Sequence, residues 1–190
     1  QRQMCIRDRC QIDNVEPHEH HLTDKPFNRY YLHSVDGFVY MSEQVHSELR
    51  AYSDALALFS PHPLFENFGE RVERSEACVR LGLDPANRYV LFFGLIRDYK
   101  GLDLLLDAWA QLRRAGRTEG RRLIVAGEFY TAREPYLNRI ADNGLQDEVL
   151  LHDRFIPDDD VKYYFSAADF VVQPYKTATQ SGVTQIAYQF

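Results

Sequence analysis

The chain has 190 residues, of which 45% are hydrophobic and 26% charged. These are ordinary globular proportions and exclude a disordered or collagen-like chain. Its 22 basic and 28 acidic side chains give a formal net charge of −6, which argues against general nucleic-acid binding, since that draws on a basic surface that releases counterions. The three cysteines, Cys5, Cys10 and Cys78, form no C-x-x-C pair; they suggest a reducing compartment with neither a structural disulfide nor a zinc site. No apolar run approaches the roughly 20 residues of a membrane helix.

Gln1 to Arg9 shows neither strand alternation nor a helix start. It resembles a translated sequencing adapter and is set aside as a non-native tail (1–9). The other end, SGVTQIAYQF, stops within the first turns of a helix without stop signals. The chain is therefore read as a piece of a longer protein. From Asp36 onward, short β-rich runs alternate with amphipathic stretches. Gly37–Met41 reads as a strand, and Ser42 as the N-cap of a helix over Glu43–Tyr52. Ala55–Phe59 reads as a strand, and Arg71–Leu81 as a helix stopped by Gly82. Tyr89–Phe93 is a near-continuous apolar strand. Leu102, Leu105, Leu106, Trp109 and Leu112 mark one buried face of a helix that ends at Gly116. A strand over Arg122–Ala126, a helix over Glu134–Asn143 stopped by Gly144 and a strand over Glu148–Leu151 follow. Asp158, Asp159 and Asp160 offer an N-cap and first-turn charge for a helix to Ala168, and Asp169–Val172 is the last strand.

Strands apolar on both faces and separated by helices imply a parallel sheet covered on both sides. The expected fold is a Rossmann-like, doubly wound α/β unit over 61–190, truncated at its C-terminal end, beside a remnant of a different domain over 10–60.

In such sheets ligands bind beyond the carboxyl ends of the strands. Two loops there carry the chemistry. Gly94 to Gly101 holds two cations, Arg97 and Lys100, ahead of a helix N-terminus, a combination suited to a diphosphate; the alternative is a solvated turn. Tyr175 to Thr184 is rich in hydroxyls and has a glycine opening a helix, again an anion-binding arrangement or else an ordinary capped start. There is no G-x-G-x-x-G after a strand, no P-loop and no G-x-S-x-G elbow, which disfavours nicotinamide or flavin binding, P-loop ATPases and typical serine hydrolases. His18-Glu19-His20-His21 lacks the H-E-x-x-H spacing and reads as a surface or cleft group rather than a metal site.

The run VLFFGLIRDYKGLDLLLDAWAQL resembles the phosphate-binding strand, loop and helix of retaining glycosyltransferases of family 4, with the GT-B fold. LIVAGE, VLLHDRFIPDDDVKYYFSAADFVVQPY and SGVTQIAYQF follow in the family's order, and Asn14–Glu19 with VDGFVYMSEQV resembles the end of the N-terminal acceptor domain. The resemblance spans roughly residues 11–190. It implies transfer of a sugar, with retention, from a nucleotide-activated donor (UDP- or GDP-linked) to a glycan or lipid-linked acceptor, as in polysaccharide biosynthesis. By resemblance, Arg97 and Lys100 hold the diphosphate and stabilise the leaving group. Gly94 allows close approach, and Gln180, Ser181, Gly182, Val183 and Thr184 form the second phosphate loop. Phe155, Ile156 and Pro157 border the nucleobase; Asn14 and His18 face donor sugar or acceptor.

No cofactor or metal is implied, since two cations can do the charge work of Mg²⁺. No nucleic-acid partner is expected. The location is cytoplasmic, or at the inner face of the membrane for a full-length enzyme. One departure stands out: the family's E-x7-E pair is replaced by Ala178 and Ile186, with Gln180 and Gln185 as the nearest polar residues. Two other readings stay open. A GT-B nucleotide-sugar isomerase or hydrolase would need Glu128, Glu19 or His18 as acid or base. A non-catalytic Rossmann-like binding domain would leave Arg97 and Lys100 pointing into solvent.

Overall fold

The computed structural model describes residues 8–16, 24–178 and 180–190. The chain divides into two compact units, one comprising residues up to Pro63 together with Thr177–Gly182, the other Leu64–Lys176 with Val183–Phe190.

The first unit has a parallel sheet of β1 (Arg9–Ile12), β2 (Gly37–Tyr40) and β3 (Leu56–Phe59), in that order, with α1 (Asp24–Ser34) and α2 (Glu43–Leu49). Ile12, Phe38 and Tyr40 from the strands pack with Leu32 and Val35 of the α1 region and with Val45 and Leu49 of α2. Ser42 caps α2, its hydroxyl accepting from Val45 N–H at 3.3 Å. Two features depart from expectation. Asp8 and Arg9, set aside with the tail, belong to the fold: Asp36 N–H donates to Asp8 O at 3.0 Å, and Arg9 pairs with Gly37. The α1 helix has no counterpart among the predicted elements; its Pro26 lies in the first turn, where a missing N–H breaks no intrahelical bond.

The second unit holds α3 (Arg74–Leu81), β4 (Arg88–Phe93), α4 (Leu102–Arg114), β5 (Arg121–Ala126), α5 (Glu134–Asp142), β6 (Val149–His152), α6 (Asp158–Ala167), β7 (Phe170–Val171) and α7 (Gly182–Gln189). The four strands are all parallel, in the order β6-β5-β4-β7. Side-chain alternation splits the core between the two faces. Tyr89, Leu91, Ile124 and Ala126 pack with Ala77 and Cys78 of α3, Tyr164 and Phe165 of α6 and Ile186 of α7. Val90, Phe92, Leu123 and Val125 pack with Leu105, Leu106 and Trp109 of α4 and Tyr136 of α5. This is the doubly wound α/β architecture expected from the apolar runs. Gly82, Gly116 and Gly144 follow α3, α4 and α5 with positive φ, the left-handed stop their positions suggested.

The expected aspartate cap of α6 is not formed. Pro157 is the N-cap and makes no side-chain bond, while Asp158, Asp159 and Asp160 occupy the first turn, where their charge still favours the helix.

Among the described residues no helix is long and apolar enough to cross a membrane.

Candidate functional site

The strand order reverses at β4: β5 pairs on one side of it and β7 on the other. A crevice opens at such a switch point beyond the carboxyl ends of the strands. The segments leaving β4 and β7 border it, and both are fastened to their surroundings. Gly94 N–H donates to Ala126 O at 2.9 Å, Ile96 N–H to Glu128 O at 2.8 Å, and Tyr130 N–H to Ile96 O at 2.9 Å. Residues 98–100 then close a 3-10 turn, which ends at Gly101 with φ 71°. A Cβ on Gly101 would fall 2.1 Å from the carbonyl oxygen of Pro174. A glycine is thus required where the two segments cross.

Lys100 is only 9% exposed. Its ammonium turns back over the start of the loop: a Cβ on Gly94 would lie 3.2 Å from Lys100 Nζ and 3.5 Å from Val183 Cγ2. Gly94, Lys100 and the first turn of α7 therefore converge. The Tyr175 ring faces the ammonium, with 5.8 Å from Nζ to its centroid. Burial, and after it the charge of Arg97, lowers the Lys100 pKa to about 8. Arg97 is half-buried, its guanidinium over the Tyr130 ring at 5.1 Å.

The residues singled out from the sequence fall in different places. Gly94, Arg97, Lys100, Val183 and Thr184 lie in the second unit, around the β4 end or on α7. The Thr184 hydroxyl donates to Gln173 Oε1 at 2.6 Å, and Gln173 Nε2 donates to the Tyr175 hydroxyl at 3.1 Å. Gln173 was not foreseen; its only signal is its place just after the last strand. Gln180, Ser181 and Gly182 belong to the segment grouped with the first unit. Gln180 Oε1 is buried without a hydrogen-bond partner.

Beyond β6, Phe155 is 68% exposed and Pro157 is also exposed, but Ile156 is 7% exposed and packs in the core. Phe155 and Pro157 are therefore the members of this segment whose side chains face outward. In the first unit Asn14 lines an open pocket of about 490 Å³ with Asn28 and Tyr31. His18 lies outside the described residues, as do Glu19, His20 and His21. Ile186, at the second position of the missing E-x7-E pair, is 6% exposed within the core. Among the described residues no group of three or more His, Cys, Asp or Glu side chains could hold a metal ion.

A family model described as glycosyl transferases group 1 matches residues 87–189, the stretch that carries this crevice. D-inositol 3-phosphate glycosyltransferase of Segniliparus rotundus is 45% identical over 56 residues, covering 30% of this chain and 12% of the relative. The lipopolysaccharide core biosynthesis mannosyltransferase LpsB of Rhizobium meliloti is 32% identical over 120 residues, covering 57% of this chain and 31% of the relative. The chain thus spans less than a third of the length of these curated relatives. Among solved structures, HepE of Anabaena in complex with UDP and glucose superposes with a TM-score of 0.73 over 94% of this chain and 49% of its own, at 16% identity, a likeness of fold. The chain belongs to the glycosyl transferases group 1 family.

Proposed function

We propose that the chain is part of a GT-B glycosyltransferase of the family 4 type. It would transfer a sugar, with retention, from a nucleotide-activated donor to a glycan or lipid-linked acceptor. The carrying observation is Lys100: a buried ammonium over a glycine, at the switch point of a parallel sheet, shifted by burial and by Arg97 with no carboxylate contributing. A desolvated cation without an anionic partner is costly to bury, and a bound anion offsets that cost. Arg97 and Lys100 hold the donor diphosphate in this reading. Charge builds on the leaving diphosphate as the glycosidic bond breaks, and two preplaced cations stabilise it without transferring a proton.

The first N–H groups of α7 have no partner within the helix and add donors at the same end of the sheet. In this reading the segment Phe155, Ile156 and Pro157 borders the base, and the family resemblance gives Asn14 and His18 a role toward the donor sugar or the acceptor. The transfer draws on no metal in this reading, because the two cations supply the positive charge. The name of the Rhizobium relative, a lipopolysaccharide core mannosyltransferase, fits a lipid-linked or saccharide acceptor, whereas that of the Segniliparus relative points to an inositol phosphate; a full-length enzyme would work in the cytoplasm or at the inner membrane face. The burial of Lys100 favours this reading over a non-catalytic domain with both cations in solvent.

Calorimetric titration of the chain with UDP, GDP and ADP, beside Arg97→Ala and Lys100→Ala, tests the reading. Each variant removes a charged hydrogen-bonding partner, so binding should weaken by about 1.5–3 kcal/mol. Equal affinity in all three proteins would remove the diphosphate site.

A further inference from the structure

Two carboxylates, Asp98 and Asp103, stand in sequence on either side of Lys100, yet neither pairs with it. Both pair instead with Lys176, from the segment leaving β7: Lys176 Nζ is 3.0 Å from Asp98 Oδ1 and 3.0 Å from Asp103 Oδ2. The same residue anchors the backbone, its N–H donating to Tyr99 O at 2.7 Å. The Tyr99 and Tyr175 rings meet edge to face at 6.1 Å in the same seam. A third group reads the local field. Burial and then the Asp98 and Asp103 carboxylates push the Tyr136 hydroxyl pKa up, while Lys176 pulls it down. The two carboxylates thus cast a negative potential over the start of α4, and Lys176 opposes it.

We propose that Lys176 is a positioning residue: it sequesters the carboxylates of Asp98 and Asp103, so that the Lys100 ammonium stays at the crevice without an anionic partner. The inference deepens the diphosphate reading above and rests on it for its functional meaning. Opposite charges favour each other's ionised form. A carboxylate released towards Lys100 would compete with an incoming anion for the same ammonium. Arg97 lowers the Lys100 pKa and the Tyr175 ring faces its ammonium; Asp98 and Tyr99 share its turn, and Asp103 and Lys176 stand on α4 and on the segment after β7.

The chain contains four lysines, so the Lys100 side-chain resonance can be assigned by substitution and titrated by NMR without ligand. In Lys176→Met the Lys100 titration should move up by about one pH unit as the carboxylates turn to it. In Lys176→Met with Asp98→Asn and Asp103→Asn it should return to the parental midpoint, and Lys176→Arg should stay near it. An unmoved midpoint in Lys176→Met overturns the proposal. So does an upward shift that persists in the triple variant, because loosening of the loop would expose Lys100 whether or not the carboxylates are present. UDP and GDP titrations of the same proteins should show binding weakened in Lys176→Met and recovered in the triple variant. If the NMR midpoints follow the pattern while the parental chain binds neither nucleotide, the diphosphate reading fails and the charge assignment of Lys176 stands.

Discussion

Gly127 lies directly against Gly94: a Cβ on Gly127 would fall 2.1 Å from the Gly94 carbonyl oxygen. Both residues leave neighbouring parallel strands, and both have positive φ, 146° at Gly127 and 96° at Gly94. The obstacle is backbone that is itself fixed, since Gly94 N–H is bonded to Ala126 O. Gly127→Ala should therefore combine backbone strain with overpacking and cost about 3 kcal/mol or more. Thermal unfolding of the variant beside the parent measures this; a midpoint within a degree of the parent would contradict the close approach.

The lowered pKa of Lys100 sets two pH dependences. Its folded value, about 8, lies below the ordinary 10.5, so the unfolded chain holds this proton more tightly. The group's destabilising contribution is full below pH 8, and stability rises with pH between about 8 and 10.5 as the proton leaves the folded state. Lys100→Met should remove that rise from a plot of stability against pH.

Anion binding runs the other way. If the diphosphate binds only the ammonium form, association of UDP or GDP should fall by up to about tenfold per pH unit above 8. Calorimetry at pH 7, 8, 9 and 10 follows this, and a flat profile would show that the Lys100 charge does not enter binding.

Glu148 joins α4 to the turn ahead of β6. The Trp109 indole N–H donates to Glu148 Oε2 at 2.8 Å, and Arg113 Nε donates to Glu148 Oε1 at 3.1 Å. Glu148→Ala leaves the indole N–H unpartnered in a buried place and should cost about 1.5–3 kcal/mol. Trp109 is the single tryptophan, so its fluorescence reports both the unfolding transition and any local change.

Restoring the second glutamate of the family pattern should fail. Ile186 is in the core with Tyr164 and Phe165, and a carboxylate there would be desolvated without a partner. Ile186→Glu should lower stability by at least about 2 kcal/mol without tightening UDP or GDP. A gain in affinity would mean that α7 turns this position towards the ligand.

The second unit was legible where local signals agree. The apolar run ending at Phe93, the leucine spacing around Trp109 and the stops at Gly82, Gly116 and Gly144 each combine a periodicity with a breaker. The strand RCQI at Arg9–Ile12 and the helix containing Pro26 were not legible. The first is short and polar on one side; in the second Phe27, Tyr30 and Tyr31 stand at helical spacing on an exposed face, whereas the residues that pack are Leu32 and Val35. Within the site, the charges of Arg97 and Lys100 could be read, but the burial of Lys100 could not, because it depends on Gly94, Tyr175 and α7 meeting in space. Lys176 carried no local signal, since its carboxylate partners lie more than seventy positions earlier. Which of Phe155, Ile156 and Pro157 face outward was not legible either, because family position identifies a segment and not the direction of each side chain.

The order β6-β5-β4-β7 also governs how this surface can diverge. The glycine-and-lysine loop and the Pro174–Lys176 segment interlock, so a substitution in one is felt by the other. The loop carrying Phe155 leaves from β6, two strands from β4, or roughly 10 Å across the sheet. Changes there should be energetically additive with changes at Lys100. The chain can therefore exchange residues at the Phe155 rim one at a time while the β4–β7 clasp stays unaltered.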